Sequence, residues 1–240
     1  MQLFYNPSID KNTHEITFDK IESRHVVKVL RKKEGDHIYL TNGKGDLFHC
    51  KINVANDKKC LINVISIEHK KQQRKYYLHL AIAPTKNNDR LEWFLEKATE
   101  IGIDEITPII CDNSERKFIK PERLKKIIIS AIKQSLKIHL PKLNEVVTLS
   151  EFLKQKQTQG KYIAHCLENE KQLMKDVLLP KESSIILIGP EGDFSLSEIE
   201  KSLQIYSNNT WQSKIKNRNS SFSICYECFI YQSIRIAILV

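Results

Sequence analysis

Long apolar runs are missing from this sequence: none approaches the roughly 20 residues that span a bilayer, and no segment resembling a signal peptide opens the chain. Glycine and proline are scarce, with seven of each in 240 residues, and no internal repeat is present. Hydrophobic residues make up 41% and charged residues 28%, a balance typical of folded domains. These features argue against membrane helices and fibrous repeats, so we expect a globular protein of the cytoplasm with no membrane partner.

Metal-binding and dinucleotide-binding signatures are missing as well. Cys225 and Cys228 have the C-x-x-C spacing of a zinc knuckle, but no second cysteine pair or histidine pair accompanies them. No G-x-G-x-x-G follows a predicted strand, which disfavours a dinucleotide-dependent enzyme. We therefore expect no metal centre, and we interpret the six cysteines as small, mostly buried side chains in a reducing compartment.

The chain carries an excess of positive charge. Its 38 lysines and arginines against 29 acidic residues give a formal net charge of +9. Such a balance favours an acidic partner, with nucleic acid ahead of an anionic membrane. A lysine-rich proteome would produce the same charge without any such partner, so composition alone leaves both interpretations open.

The first 70 residues have the pattern of a small β-rich domain. Ser23–Leu30 predicts a helix with Val26 and Val27 inward. Asn42–Gly45 predicts a tight hairpin, because asparagine and glycine tolerate positive φ. The polar segment His69–Lys75 predicts a linker. The predicted strands are Glu15–Phe18, Asp36–Thr41, Leu47–Val54 and Lys59–Ile67.

From Tyr76 onward, predicted strands and helices alternate, which is typical of an α/β domain with a parallel sheet. Arg90–Ile101 has an apolar face at helical spacing, and Pro121–Leu136 predicts a helix with proline in its first turn. The predicted strands are Tyr77–Ala83, Glu105–Cys111, Tyr162–Cys166 and Ser184–Ile188.

The last of these strands leads into a loop and a new helix. Gly189-Pro190 ends the strand because proline has no N–H for the ladder, and Gly192 permits positive φ or close backbone approach. Ser195 and Glu198 have the spacing of a capping box, which predicts a helix start. Loops at the carboxyl ends of parallel strands bind ligands in open α/β sheets, although ordinary strand-to-helix turns are also common.

The string I-G-P-E-G-D-F-S-L-S-E-I over Ile188–Ile199 closely resembles the signature loop of the ribosomal RNA (uridine-N3) methyltransferases, the RsmE family of knotted SPOUT methyltransferases. Other blocks resemble the family in the same order, and together they cover most of residues 20 to 200. They are H-V-V-K-V-L-R-K-K-E-G-D from His25, R-L-E-W-F-L-E-K-A-T-E-I-G from Arg90, N-S-E-R from Asn113 and A-I-K-Q-S from Ala131. The chain departs from the pattern at Asp193, where a second glycine is usual, and at Lys137, where an arginine often follows.

The resemblance implies an α/β fold in which a small PUA-like β-barrel domain, residues 1–70, precedes a SPOUT-like knotted parallel-sheet methyltransferase domain, residues 71–240. It implies S-adenosylmethionine-dependent methylation of N3 of a uridine in 16S ribosomal RNA, free or within the small ribosomal subunit. It also implies a homodimer, because SPOUT sites are built at a dimer interface. The reaction needs an electrophilic methyl group in line with N3, loss of the imide proton and an exposed base, but no metal.

The resemblance also implies site residues. The cofactor site would be walled by Leu187, Ile188, Gly189, Pro190, Glu191 and Gly192. Glu191 would face the positive charge or amino-acid part of the cofactor, or it would cap the N–H groups of its own loop. Arg116 is the other candidate catalytic residue, because a guanidinium would stabilise a uracil anion. The expected RNA contacts, each of which also fits a solvated basic face, are Arg24, His25, Arg31, Lys32, Lys33, Lys86 and Arg116.

The end of the chain, residues 212–240, departs from the family, whose final R-x-E-T-A motif threads the knot and completes the cofactor site. If the codons that can encode Ile215–Phe229 are read one base later, one permitted translation is S-R-I-E-T-A-A-L-V-F-A-M-N-A-L. That translation contains the R-x-E-T-A motif followed by an apolar run. We therefore hypothesise a change of reading frame near Trp211–Lys214. This hypothesis predicts that residues from about 214 pack poorly, that Cys225 and Cys228 have no joint role, and that the cofactor binds weakly or not at all. A tail that folds differently is the alternative, as is a non-catalytic RNA-binding protein that has lost methyl transfer.

Overall fold

The computed structural model describes residues 1–72, 74–155, 160–165, 182–204 and 212–213. The chain forms two compact units. The first unit comprises residues 1–73 and 132–140, and the second comprises residues 74–131 and 141–240.

The first unit is built on a five-stranded sheet. Its strands are β1 (Leu3–Tyr5), β2 (Glu15–Thr17), β3 (His37–Thr41), β4 (Asp46–Val54) and β5 (Leu61–His69). Their order in the sheet is β1-β3-β4-β5-β2, with β1 parallel to β3 and all other neighbours antiparallel. The four strands predicted in this region are confirmed. The short β1 was not predicted, because three residues carry too little alternation to be recognised.

The hairpin predicted at Asn42–Gly45 is confirmed as the connection between β3 and β4. Gly43 and Gly45 have φ values of +78° and +92°, which side chains other than glycine rarely adopt. The Asn42 side chain accepts a hydrogen bond from the Lys44 N–H at 2.9 Å, which closes the turn locally.

The predicted helix over Ser23–Leu30 starts earlier and is wound differently. Helix α1 spans Lys20–Arg24, and a π-helical turn follows over His25–Val29. The earlier start has a clear cause, because the Asp19 carboxylate caps the helix by accepting a backbone N–H of the first turn at 2.8 Å. The predicted inward face is confirmed, since Val26 is fully buried in the core of the first unit.

The second unit contains a sheet in which every described strand pairing is parallel. Its described strands are β6 (Leu78–Ile82), β7 (Glu105–Ile110), β8 (Lys142–Leu143), β9 (Val147–Thr148), β10 (Gly160–Ala164), β11 (Ser184–Ile188) and β12 (Gln212–Ser213). Their order is β12-β10-β11-β6-β7-β8, with β9 beside β7. All five residues of β11 are buried, which confirms that this strand is covered on both faces.

The described helices of the second unit are α2 (Asn88–Ile101), α3 (Pro121–Ser135), which continues into the first unit, α4 (Leu149–Lys154) and α5 (Leu196–Gln204). The apolar face predicted for α2 is confirmed, because Leu91, Phe94, Leu95 and Ala98 are buried. Helix α4 was not predicted. Its signal is a capping box in which Thr148 and Glu151 each accept a hydrogen bond from the other's backbone N–H.

A partly buried polar cluster lies at the amino ends of β6 and β7. The Glu105 carboxylate accepts hydrogen bonds from Tyr77 at 2.8 Å, Lys142 at 2.9 Å and Asn144 at 2.7 Å. Burial alone would raise the pKa of Glu105, but these bonds outweigh it and lower the pKa to about 2. Burial lowers the pKa of the neighbouring His79, whose ring contacts the Thr107 hydroxyl at 2.7 Å.

The predicted order of a small β-rich domain followed by a parallel-sheet α/β domain is confirmed. The linker prediction over His69–Lys75 needs correction, because His69 is the last residue of β5 and its ring lies 2.6 Å from the Asp46 carboxylate. The knot, Cys166 and the tail from residue 214 onward lie outside the described residues. Within the described ranges, no helix has the length and apolar character required to cross a membrane.

Candidate active site

Three loops meet at one edge of the second unit's sheet. Strands β11, β6 and β7 are parallel neighbours, so their carboxyl ends share that edge. The loops that leave them there are residues 189–195, 83–87 and 111–116. Loop 189–195 is the signature loop identified in the sequence, and we call the other two the 83–87 loop and the 111–116 loop.

Two glycines shape the signature loop by their lack of a side chain. A Cβ atom on Gly189 would lie 3.0 Å from the ring of Phe194, which is buried beneath the loop. A Cβ atom on Gly192 would lie 3.2 Å from the Asn113 Cβ of the 111–116 loop. The close approach predicted for Gly192 is therefore confirmed, whereas the positive φ in this loop falls on Asp193, at +60°.

The capping box at the start of α5 is confirmed in both directions. Ser195 N–H donates to the Glu198 carboxylate at 2.9 Å, and Glu198 N–H donates to the Ser195 hydroxyl at 3.2 Å. The same two side chains reach the 111–116 loop: Glu198 accepts the Asp112 N–H at 2.9 Å, and Ser195 donates to the Asp112 carboxylate at 2.7 Å. The helix start and the neighbouring loop are thus fastened together.

Asn113 joins the signature loop to the 111–116 loop. Its side-chain amide donates to the carbonyl oxygen of Gly192 at 3.0 Å and to that of Asp193 at 3.1 Å. These carbonyls lie where the chain turns through the left-handed conformation of Asp193, a conformation that glycine adopts at lower cost than other residues. This left-handed conformation explains why the family usually has glycine at this position. Aspartate is among the residues that tolerate the conformation better than most.

The 83–87 loop is held from both sides through the backbone of Lys86. Both Glu191 carboxylate oxygens accept the Lys86 N–H, at 3.0 and 3.2 Å, and the Arg116 guanidinium donates twice to the Lys86 carbonyl, at 2.7 and 3.2 Å. The Lys86 ammonium lies 2.9 Å from the Glu115 carboxylate, and that hydrogen-bonded ion pair raises the Lys86 pKa. Two cations and two carboxylates are therefore gathered at the carboxyl edge of the sheet.

The structure brings Glu191, Arg116 and Lys86 together, as a shared site requires. Glu191 caps the N–H of a neighbouring loop, which differs from the alternative that it caps the N–H groups of its own loop, and its contact with the cofactor stays a prediction. The catalytic roles of Arg116 and Glu191 stay predictions, as do the cofactor contacts of Leu187 to Gly192.

The other predicted RNA contacts lie on the first unit. Arg24, Arg31 and Lys33 are exposed, and Lys32 is half-buried. The half-buried His25 has its Nδ1 3.6 Å from the Glu22 carboxylate and its ring edge-on to Phe4, which suits a local packing role. Their contact with RNA stays a prediction.

The sequence analysis missed Asn113 and Asp112 as site residues, although Asn113 stands at the start of the N-S-E-R block. The available signal was their position just after the predicted strand Glu105–Cys111. Cys50, Cys60 and Cys111 are buried free thiols, and burial raises the pKa of each, to about 12 for Cys50. Within the described part of the chain, no three histidine, cysteine or acidic side chains converge as metal ligands.

Comparison with known proteins identifies the family. A family model described as an RNA methyltransferase domain matches residues 72–210, and one described as an RNA methyltransferase PUA domain matches residues 18–65. Ribosomal RNA small subunit methyltransferase E of Rickettsia conorii is 32% identical over 182 residues, which cover 73% of this chain and 72% of that protein. The chain belongs to the ribosomal RNA small subunit methyltransferase E family.

Solved structures agree with membership of the methyltransferase E family. A probable rRNA methyltransferase from Porphyromonas gingivalis has a TM-score of 0.87 at 32% identity and covers 100% of this chain and 99% of its own. Ribosomal RNA small subunit methyltransferase E from Neisseria gonorrhoeae, solved with S-adenosylmethionine, has a TM-score of 0.81 at 19% identity, covers 97% of this chain and 96% of its own, and shares the fold. The RsmE resemblance and the predicted SPOUT and PUA-like fold are thus confirmed.

Proposed function

We propose that this protein transfers a methyl group from S-adenosylmethionine to N3 of a uridine in 16S ribosomal RNA. The observation that carries the proposal is a pair of contacts to the backbone of Lys86. Glu191 of the signature loop accepts the Lys86 N–H, and Arg116 of the 111–116 loop donates to the Lys86 carbonyl. That arrangement fixes three loops at one edge of the sheet and holds a guanidinium beside them. Family membership supports ribosomal RNA of the small subunit as substrate, and the uridine N3 atom follows from the signature-loop resemblance.

The residues of the signature loop fit the proposed cofactor. Leu187 and Ile188 are buried apolar side chains at the end of β11, suited to one wall of an adenine site. Gly189 and Gly192 let Phe194 and Asn113 pack closely against the loop, which fixes its course, and Glu191 places a carboxylate between the two glycines. S-adenosylmethionine supplies an electrophilic methyl group on a positively charged sulfur, so the reaction needs no metal.

Arg116 is our candidate for stabilising the substrate in the transition state. Uracil becomes anionic when N3 loses its proton, and a fixed guanidinium lowers the energy of that anion. Two of the Arg116 nitrogens donate to the Lys86 carbonyl, which holds the guanidinium plane in place. The ion pair of Lys86 and Glu115, whose charged atoms lie 2.9 Å apart, would contribute to the electrostatic potential around the base. Lys86 and Arg116 also serve as candidate contacts to RNA phosphates.

The finer features of the proposed function follow from the family resemblance. We expect a homodimer, a cytoplasmic location, and a substrate that is either 16S ribosomal RNA or the small ribosomal subunit. The remaining RNA contacts would come from Arg24, His25, Arg31, Lys32 and Lys33 of the first unit. Size-exclusion chromatography with light scattering measures the oligomeric state.

The experiment that tests the function uses two forms of the protein. One is the chain as written, and the other carries S-R-I-E-T-A-A-L-V-F-A-M-N-A-L in place of Ile215–Phe229. Each is incubated with S-adenosylmethionine and small subunits that lack the modification, and the nucleosides are analysed by mass spectrometry. We expect 3-methyluridine, which blocks Watson–Crick pairing and therefore maps as a stop of reverse transcription.

The tail hypothesis predicts different results for the two forms. The family-model match to the methyltransferase domain ends at residue 210, close to Trp211, where the sequence departs from the family. Binding of S-adenosylmethionine by the replaced form alone would support a change of reading frame. Tight binding by both forms would favour a genuine variant tail. RNA binding without cofactor binding in either form would favour the non-catalytic RNA-binding protein.

A further inference from the structure

We propose that the outer face of the first unit's sheet carries a stacking site for an unpaired nucleobase of the RNA substrate. The site is the row of side-chain rings formed by His37, Tyr39 and His49, which we call the ring row, with Lys51 beside it. The inference rests on the proposed function, which identifies RNA as the partner. It concerns a surface of the first unit that has no assigned part in methyl transfer.

The three rings form a continuous row across β3 and β4. Tyr39 pairs in register with His49, and their rings are almost parallel, with an interplanar angle of 7° and centroids 4.6 Å apart. The ring of His37, two residues before Tyr39 and on the same face, has its centroid 5.2 Å from that of His49, at 45°. His49 therefore lies between the other two rings, and the row ends at His37.

The ring row faces away from the core of the first unit. Ile38 and Leu40, which alternate with the rings along β3, are fully buried in that core, so the rings occupy the opposite face of the sheet. His37 is exposed, and Tyr39 and His49 are half-buried. An exposed ring at the end of a stack offers a π-face to a further ring, which is how sheet surfaces bind unpaired bases.

Positive charge borders the His37 end of the row. Lys51 pairs in register with His37 across β3 and β4, and its side chain is exposed. The turn that leads directly into β3 carries the basic run Arg31–Lys33. The two acidic side chains of that turn each accept a backbone N–H, Asp36 from Lys33 at 2.9 Å and Glu34 from Ala55 at 3.3 Å. Rings for a base beside cations for its phosphates match single-stranded RNA.

Fluorescence anisotropy on the whole protein tests the ring row. The probes are a fluorescein-labelled single-stranded 12-nucleotide RNA of mixed sequence and an abasic oligomer of the same length. We expect the single variants His37→Leu and Tyr39→Leu to bind the RNA at least roughly fivefold more weakly, without a change in the slope of log K against log salt. Their affinity for the abasic oligomer should stay at the wild-type value. Lys51→Gln should instead weaken the binding of both probes and reduce the slope of log K against log salt by about 1.

The matched control is His14→Leu, the same substitution at an exposed histidine next to the edge strand β2, which β5 separates from the ring row on β3 and β4. It should bind both probes like the wild type. Two results would overturn the proposal. One is that the wild-type protein binds both probes with equal affinity, and the other is that His37→Leu binds the RNA as tightly as the wild type does. These measurements need no cofactor, so their failure is distinguishable from failure of the methyl-transfer proposal.

A measurement on the unmutated protein guards against variants that fail to fold. In protein labelled with ¹³C in its histidine rings, stacking of a base should shift the ring signals of His37 and His49 through the ring current of the base. The abasic oligomer should leave them in place. Identical spectra with both probes at saturation would refute the stacking site.

Discussion

Removal of the Asn113 amide should weaken cofactor binding by loosening the signature loop. Its side chain donates to two carbonyls of the signature loop, those of Gly192 and Asp193, at 3.0 and 3.1 Å. A neutral hydrogen bond contributes about 0.5–1.5 kcal/mol, so the pair favours this loop conformation by roughly 2 kcal/mol. If only this conformation binds S-adenosylmethionine, Asn113→Ala should weaken binding by up to roughly 30-fold.

Isothermal titration calorimetry measures this loss, in whichever tail form binds S-adenosylmethionine more tightly. Asn113→Asp, which has nearly the same shape, should weaken binding at least as much, because a carboxylate repels the two carbonyls it would face. Asn53→Ala, at an exposed position of β4, is the matched control and should leave affinity unchanged. Cofactor affinity at the wild-type level in both Asn113 variants would refute the inference that this amide holds the loop.

Three further predictions concern other residues. Because the pKa of Glu105 falls from 4.5 to about 2 on folding, its contribution of about 3 kcal/mol is present above pH 4.5 and lost between pH 4.5 and 2; in urea unfolding across that range, the wild type should lose about 3 kcal/mol more stability than Glu105→Gln, and equal losses would contradict this. At Asp193, with φ +60°, alanine should be less stable than glycine by about 1 kcal/mol, and equal melting temperatures would contradict this. Arg116→Lys should lower kcat roughly 100-fold with little change in cofactor affinity, and a wild-type kcat would remove Arg116 from the mechanism.

The parts of the fold with strong local patterns were predictable from the sequence. The apolar face of Arg90–Ile101 and the continuous apolar strand Ser184–Ile188 each require burial, and both are buried as predicted. The capping box of Ser195 and Glu198 marked the start of α5 correctly, because both partners are close in sequence. Local chemistry of this kind does not depend on the remainder of the chain.

Features set by distant contacts were not predictable. Glu191 lies 105 positions from the Lys86 backbone that it caps, and Asn113 lies 79 positions from the Gly192 carbonyl that it holds. No local pattern indicates such pairs, and the resemblance supplied the candidates without their partners. The edge strand β1 and the short helix α4 were missed for a different reason, since each is shorter than the window in which periodicity is visible.

The most direct test of the account is the formation of 3-methyluridine in 16S ribosomal RNA. Small subunits that lack the modification are incubated with S-adenosylmethionine and with each tail form of the protein, and their nucleosides are quantified by mass spectrometry. We predict one 3-methyluridine per 16S molecule, formed at least by the form with Ile215–Phe229 replaced, and a rate of formation that Arg116→Lys reduces roughly 100-fold. Absence of 3-methyluridine with both forms, in the presence of demonstrated cofactor binding, would contradict it.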